Sequence, residues 1–203
     1  MENVAIFLDG GFVKIKLQKK LGRFPNASDV VTFCSSVMQQ PRLKDSRLFR
    51  IFYYDAPPFE GSASNPFGGG KVNYSGTVTA KQNRGLIDAL ELQPDFAVRR
   101  GELLLQGWKL GKQALKKLPT SPRPLVKDDV VPDFKQKGVD IKIGLDIAWI
   151  SLKQLASVLV LVTGDSDLVP AMKFARKEGL KVYLEAMGHS VRRELKAHAD
   201  FVF

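Results

Sequence analysis

The stretch Val158 to Pro170, VLVLVTGDSDLVP, decides the fold. Val158, Leu159, Val160, Leu161 and Val162 form an apolar run too short to span a membrane, and its β-branched content predicts a strand buried on both faces. The run stops at Thr163, Gly164, Asp165, Ser166 and Asp167, and from Leu168 the apolar positions Leu168, Ala171, Met172 and Ala175 take helical spacing. Two carboxylates therefore stand at the carboxyl end of a buried strand, where open α/β sheets place their ligands. Asp and Ser are also good helix caps, but one cap needs one residue. The pair Asp165 and Asp167 therefore reads as a candidate site.

Working outward, the same arrangement opens the chain. Val4 to Leu8 is a second apolar run, ending in Asp9, Gly10 and Gly11 before the amphipathic Phe12, Ile15, Lys16 and Lys19. Ala27 to Met38 reads as a helix, and Leu48 to Tyr54 as a strand stopped by Asp55-Ala56-Pro57-Pro58. Residues 59–76 turn to Gly, Ser, Asn and Pro and are expected to form a flexible loop. Thr79 to Leu92 reads as a helix, and Phe96–Gly101 and Leu103–Trp108 as one sheet strand plus a hairpin. Residues 109–132, basic and proline-containing, are expected to be a loosely held arm. Lys137-Gly138-Val139-Asp140 opens a helix running through Trp149 and Leu155. Strand, helix and strand follow the central stretch at 180–185, 191–197 and 200–203. This alternation predicts a single domain over residues 1–203, a three-layer α/β/α fold with a mainly parallel central sheet.

On that fold Asp9, Asp165 and Asp167 share one sheet edge, and Asp140 joins them from the first turn of its helix. Asp146, six residues further, lies about 240° around that helix, so the two cannot face one point squarely. Clustered carboxylates repel unless a cation neutralises them. Oxygen ligands, with neither paired His nor Cys, select Mg²⁺ or Mn²⁺. The chemistry such a site supports is attack of metal-activated water on a phosphodiester. His189 and His198 lack metal-ligand spacing and read as surface or structural.

Charge points the same way. Lys and Arg number 31 against 21 Asp and Glu, a net charge of +10 that favours a polyanionic partner, nucleic acid before an acidic membrane. The basic side chains expected to hold it are Lys14, Lys16, Arg99, Arg100, Lys137, Arg192 and Arg193, with Trp108 stacking an unpaired base. A single cysteine, Cys34, excludes an intrachain disulfide and a Cys-based zinc cage. The opening MENVAIFLDGG carries no basic leader, so the expected location is cytoplasmic.

Five segments, FLDGGF (7–12), YYDAPP (53–58), KGVDIKIGLDIAW (137–149), VTGDSDLVPAMKFARKEGLKVYL (162–184) and HADFVF (198–203), together resemble the NYN domain family in its LabA-like branch, within the PIN-like nucleases. The resemblance implies a metal-dependent ribonuclease, with its acidic residues at Asp9, Asp140, Asp165 and Asp167 and with Asp146 assisting. RNA is the expected partner ahead of DNA, and a homo-oligomer is compatible with the sequence. Many such domains carry Asn three residues after the first aspartate, where this chain has Phe12. Two alternatives stand beside the ribonuclease. One is a nucleic-acid-binding or regulatory protein that keeps the acidic pocket without efficient cleavage. The other is a phosphatase of the haloacid dehalogenase type, which needs an acid where this chain has Gly11.

Overall fold

The computed structural model describes residues 1–203. The first half contains β1 (Asn3–Asp9), α1 (Gly10–Leu21), α2 (Ala27–Met38), β2 (Arg47–Asp55), β3 (Ser62–Ser64), β4 (Lys71–Asn73), α3 (Val78–Glu91) and β5 (Phe96–Arg100). The second contains β6 (Glu102–Leu110), α4 (Lys112–Lys117), β7 (Val130–Lys137), α5 (Val139–Leu152), β8 (Val158–Val162), α6 (Val169–Lys177), β9 (Lys181–Glu185), α7 (Arg193–His198) and β10 (Phe201–Val202). Six strands form one sheet in the order β10-β9-β8-β1-β2-β5, and every pairing in it is parallel.

Alternation along the two central strands explains the three layers. Val4, Ile6 and Leu8 of β1, with Val158, Val160 and Val162 of β8, face a core closed by α1, α2 and α3. Ala5, Phe7, Leu159 and Leu161 face the opposite core, closed by α5, α6 and α7. Successive side chains on a strand point to opposite faces, so strands apolar at every position require cover on both sides. Phe7, Phe52 and Tyr54 stack across adjacent strands of the second core at ring separations of 4.9 and 6.1 Å from Phe7.

Two segments depart from the sequence reading. Residues 59–76 contain the small β3–β4 hairpin and a turn of 3₁₀ helix at Tyr74–Gly76. Phe59 and Tyr74 pin this segment onto Phe134 of β7, with ring centroids 5.5 and 5.3 Å away, and the Asn65 amide donates to the Lys127 carbonyl. Residues 109–132, expected as a loosely held arm, likewise carry regular structure. They contain the end of β6, helix α4, a 3₁₀ turn and the start of β7, and β6 pairs antiparallel with β7 outside the main sheet. Arg123 makes a bidentate pair with the buried Asp129, holding that carboxyl down at about 2 through the guanidinium and the Val126 N–H. Neither set of partners is visible in local composition, because each is separated from its counterpart along the chain or sits within a basic, proline-containing run.

Helix α5 is apolar on both sides. Ile143, Ile147 and Ile150 are buried, while Ile141 (66% exposed), Leu145 (63%), Trp149 (50%) and Leu152 (62%) line an outward stripe. No helix is long and apolar enough to cross a membrane.

Candidate active site

The strand order reverses direction around β1: the chain passes from β1 to β2 on one side, and β8 later inserts on the other. Ligands of open α/β sheets bind at such a switch point, outside the carboxyl ends of the strands. Leu8 is in register with Val162, which brings Asp9 level with Thr163. Gly10 permits the turn that follows, since a Cβ there would lie 2.6 Å from the Tyr54 carbonyl oxygen and 2.8 Å from the Tyr53 ring.

Asp9 caps α1 by accepting the Phe12 N–H at 3.1 Å through Oδ1, while Oδ2 accepts the Thr163 hydroxyl at 3.2 Å. That hydroxyl in turn accepts the Asp165 N–H at 3.1 Å. Thr163 is fully buried and so joins the Asp9 carboxylate to the backbone of the Asp165 loop. Asp165 Oδ1 accepts the Asp167 N–H at 2.9 Å, shaping the 3₁₀ turn that leads into α6. Asp140 enters from the first turn of α5. Burial holds the Asp9 carboxyl above its ordinary range, despite the two hydrogen bonds that oppose this, and the charges of Asp140 and Asp165 push the same way. Asp140 is also raised, by desolvation first and then by Asp165 and Asp167. The four acids thus share one unfavourable field. No group of three or more His, Cys, Asp or Glu side chains closes into a preformed metal cage. Mg²⁺ usually takes only one or two protein carboxylates and keeps several waters, so an open set of hard oxygen donors suits such an ion.

Asp146 belongs elsewhere. Its carboxylate accepts the Tyr54 hydroxyl at 2.8 Å and the Arg99 Nε–H at 2.9 Å, tying α5 to β2 and β5. Asp55, the other strand-end acid, is buried against Lys14 Nζ at 2.6 Å and takes a hydrogen bond from the Tyr53 hydroxyl. Among the basic residues, Lys14, Arg99 and Arg100 are occupied within the protein; Arg100 is shared by Asp88 and Glu91. Trp108 stands opposite Pro132 in the β6–β7 ribbon, about 20 Å along β6 from Glu102 at ordinary strand rise. Lys137 ends β7, and Arg193 starts α7. Lys16 and Arg192 lie near the acids: Lys16 Nζ stands 5.4 Å from the Phe12 ring centroid, and Arg192 donates to the Ser166 hydroxyl at 3.1 Å.

Arg192 also lines a cavity of about 300 Å³ with Asp9, Phe12, Gly164, Asp165 and His189. His189 and Thr163 escaped the sequence reading as site residues. The signal for Thr163 was its place between a core strand and an acidic turn; His189 had none, since its position depends on the loop after β9.

Six parallel strands between two helical layers make a three-layer α/β/α fold of the PIN-like kind, with Asp9, Asp165 and Asp167 at the carboxyl edge of the sheet. Residues 105–203 match the family model of the NYN domain, a PIN-like nuclease domain. The match includes Asp140, Asp165 and Asp167; Asp9 lies outside it but on the strand that pairs directly with β8. The crystal structure of a protein of unknown function from Vibrio parahaemolyticus has a similar fold, with a TM-score of 0.54 and 16% identity over 99% of this chain and 91% of that one. No curated protein matches the chain.

Proposed function

We propose that the protein is a divalent-metal-dependent endoribonuclease of the LabA-like branch of NYN domains, hydrolysing phosphodiester bonds at the edge formed by Asp9, Asp140, Asp165 and Asp167. The observation that carries this reading is the shared field of acids from three separate segments, with two of their carboxyls raised by burial and by one another. Asp9, Asp140 and Asp165, with Asp167 beside them, would hold Mg²⁺ or Mn²⁺. Such an ion would supply charge neutralisation and would polarise a bound water for attack on phosphorus.

The chain's own groups do the positioning. The Phe12 N–H and the Thr163 hydroxyl fix both oxygens of Asp9, so its carboxylate is oriented before any ligand arrives. The Thr163 link carries the same constraint to the Asp165 loop. Arg192, which lines the cavity beside the acids, would neutralise a phosphate entering there. RNA is the proposed substrate ahead of DNA, and the cytoplasm the proposed location. A homo-oligomer would assemble on the outward stripe of α5, and a Leu145→Glu variant that sediments at the wild-type mass would remove that part of the proposal.

The second reading, a nucleic-acid-binding regulator, draws on the open ligand set. Incubating the protein with labelled single-stranded and structured RNA, with Mn²⁺, Mg²⁺ or chelator, separates the two. Ion-dependent cleavage that disappears in Asp9→Asn and Asp165→Asn is the expected result. Binding without cleavage under every ion establishes the regulator, and cleavage that ignores both chelator and substitutions overturns the site.

A further inference from the structure

Two cavities lie close to Phe12, which lines the smaller of them. The smaller is the space of about 300 Å³ beside Asp9 and Asp165, walled by Phe12, His189 and Arg192. The larger is a groove of about 700 Å³ between α1, α2 and the turn after β9, walled by Lys16, Lys19 and Lys20 on one side and by Phe33 and Met187–Gly188 on the others. Gly188 precedes His189, and Lys16 stands over the Phe12 ring, so the two spaces share a wall. We propose that a single strand of nucleic acid leaves the carboxylate edge across Phe12 and His189, with an unpaired base against that pair, and continues along the lysine groove of α1.

Three observations support the path. Lys16, Lys19 and Lys20 fall at i, i+3 and i+4, one helix face, and none of them is ion-paired, whereas nearby Lys14 is held by Asp55. Like charges so placed destabilise a helix unless an anion offsets them, and a phosphate backbone does so. The two acids that also line the groove are already engaged, Asp29 by Arg23 and Glu185 by the Met187 N–H. Second, the Phe12 and His189 rings meet edge to face at 6.0 Å and 68°, and His189 is exposed. Sequence-tolerant stacking on such rings needs a base released from pairing. Third, Gly164 keeps the wall thin: a Cβ there would lie 2.8 Å from the Phe12 ring and 3.1 Å from His189. A smaller residue than phenylalanine at position 12 would leave the first base without a platform.

This inference deepens the proposed nuclease reading, and its test is independent of cleavage. Fluorescence anisotropy in chelator would follow a short labelled oligouridylate and an RNA duplex of the same length. The variants are Phe12→Leu, Lys19→Ala/Lys20→Ala, and a control of equal charge, Lys153→Ala/Lys177→Ala, at the far ends of α5 and α6. Thermal melts would confirm folding. The single strand should bind more tightly than the duplex. Phe12→Leu should weaken it about tenfold, in the range of losing one stacked base. The α1 pair should reduce the slope of log affinity against log salt by roughly 1.4, two single-strand phosphate contacts, and the control should leave it unchanged. Equal affinity for the duplex, or an equal slope change in the control, overturns the path. Strand binding that follows this pattern in a protein that cleaves nothing keeps the path and removes the nuclease. Cleavage with unchanged binding in the Phe12 and α1 variants does the reverse.

Discussion

Replacing Asp9 separates its structural role from its proposed ionic one. Asn accepts the Phe12 N–H as well as Asp does, because the two are equivalent helix caps. Asp9→Asn therefore removes charge while keeping the turn. The wild-type carboxyl is raised by burial and by Asp140 and Asp165. A raised carboxyl contributes stability below its unfolded value near 3.8, and that contribution is lost as pH rises through the folded value. At pH 7 in chelator the wild-type charge thus opposes folding, and Asp9→Asn should melt at or above the wild-type temperature. That gap should close as pH falls toward the folded value. Asp9→Ala lacks the cap, worth about 1 kcal/mol, whereas the second carboxylate oxygen that accepts the Thr163 hydroxyl is lost in both variants. It should melt roughly 2–4 °C below Asp9→Asn for a chain of this size. Mn²⁺ at a hundredfold excess over its dissociation constant should then stabilise the wild type by about 2.7 kcal/mol and both variants much less. Calorimetric melts of the three proteins, with and without ion, decide the matter. Equal stabilisation of all three by Mn²⁺ would remove Asp9 from the ion-holding set, and an Asn variant as unstable as the Ala variant would refute the charge argument.

Thr163→Val keeps the shape of a fully buried side chain but removes both of its hydrogen bonds, so it should cost about 1–3 kcal/mol in urea unfolding and reduce any RNA cleavage. Asp55→Asn leaves Lys14, whose side chain is only 15% exposed, without its counter-charge. It should destabilise by roughly 3 kcal/mol, and a Lys14→Met/Asp55→Leu double variant should recover most of the loss. Arg123→Gln should destabilise the β6–β7 ribbon to proteolysis at pH 7, and its effect should shrink as pH falls toward 2. The lowered Asp129 carboxyl contributes above its unfolded value and ceases to as pH falls through about 2. Burial pushes the Cys34 thiol up to about 12, so a disulfide reagent at pH 8 should label it only after unfolding; rapid labelling of the native protein would contradict its burial.

The sheet was legible because its information is local. A run such as Val158–Val162 must be covered on both faces, and an acid directly after it must stand at the strand's end. Those two facts, repeated at Val4–Asp9, place Asp9 and Asp165 on one edge before any coordinate is known. The ribbon and the hairpin were not legible because their cohesion is remote. Phe59 and Tyr74 look like isolated aromatics in a glycine-rich segment until Phe134 arrives from β7. Arg123 and Asp129 look like ordinary surface charges until the 3₁₀ turn brings them together.

The same distinction explains which site residues sequence could sort. Period alone separates Asp140 from Asp146 on α5, and the structure gives that separation a purpose. One acid is left with no cation beside it at the sheet edge, while the other takes Arg99 and the Tyr54 hydroxyl. Period cannot say which lysines are free. Lys14 and Lys16 are two residues apart on α1, yet one is consumed by Asp55 and the other stands over Phe12, and the difference lies entirely in what β2 presents to the helix. A basic composition therefore overstates the cations available to a polyanion: Arg99, Arg100 and Lys14 already neutralise acids of the fold itself. What remains unpaired beside the acidic edge is Arg192 and the lysines on one face of α1. If nucleic acid binds here, its salt dependence should count those unpaired side chains rather than the net charge of +10.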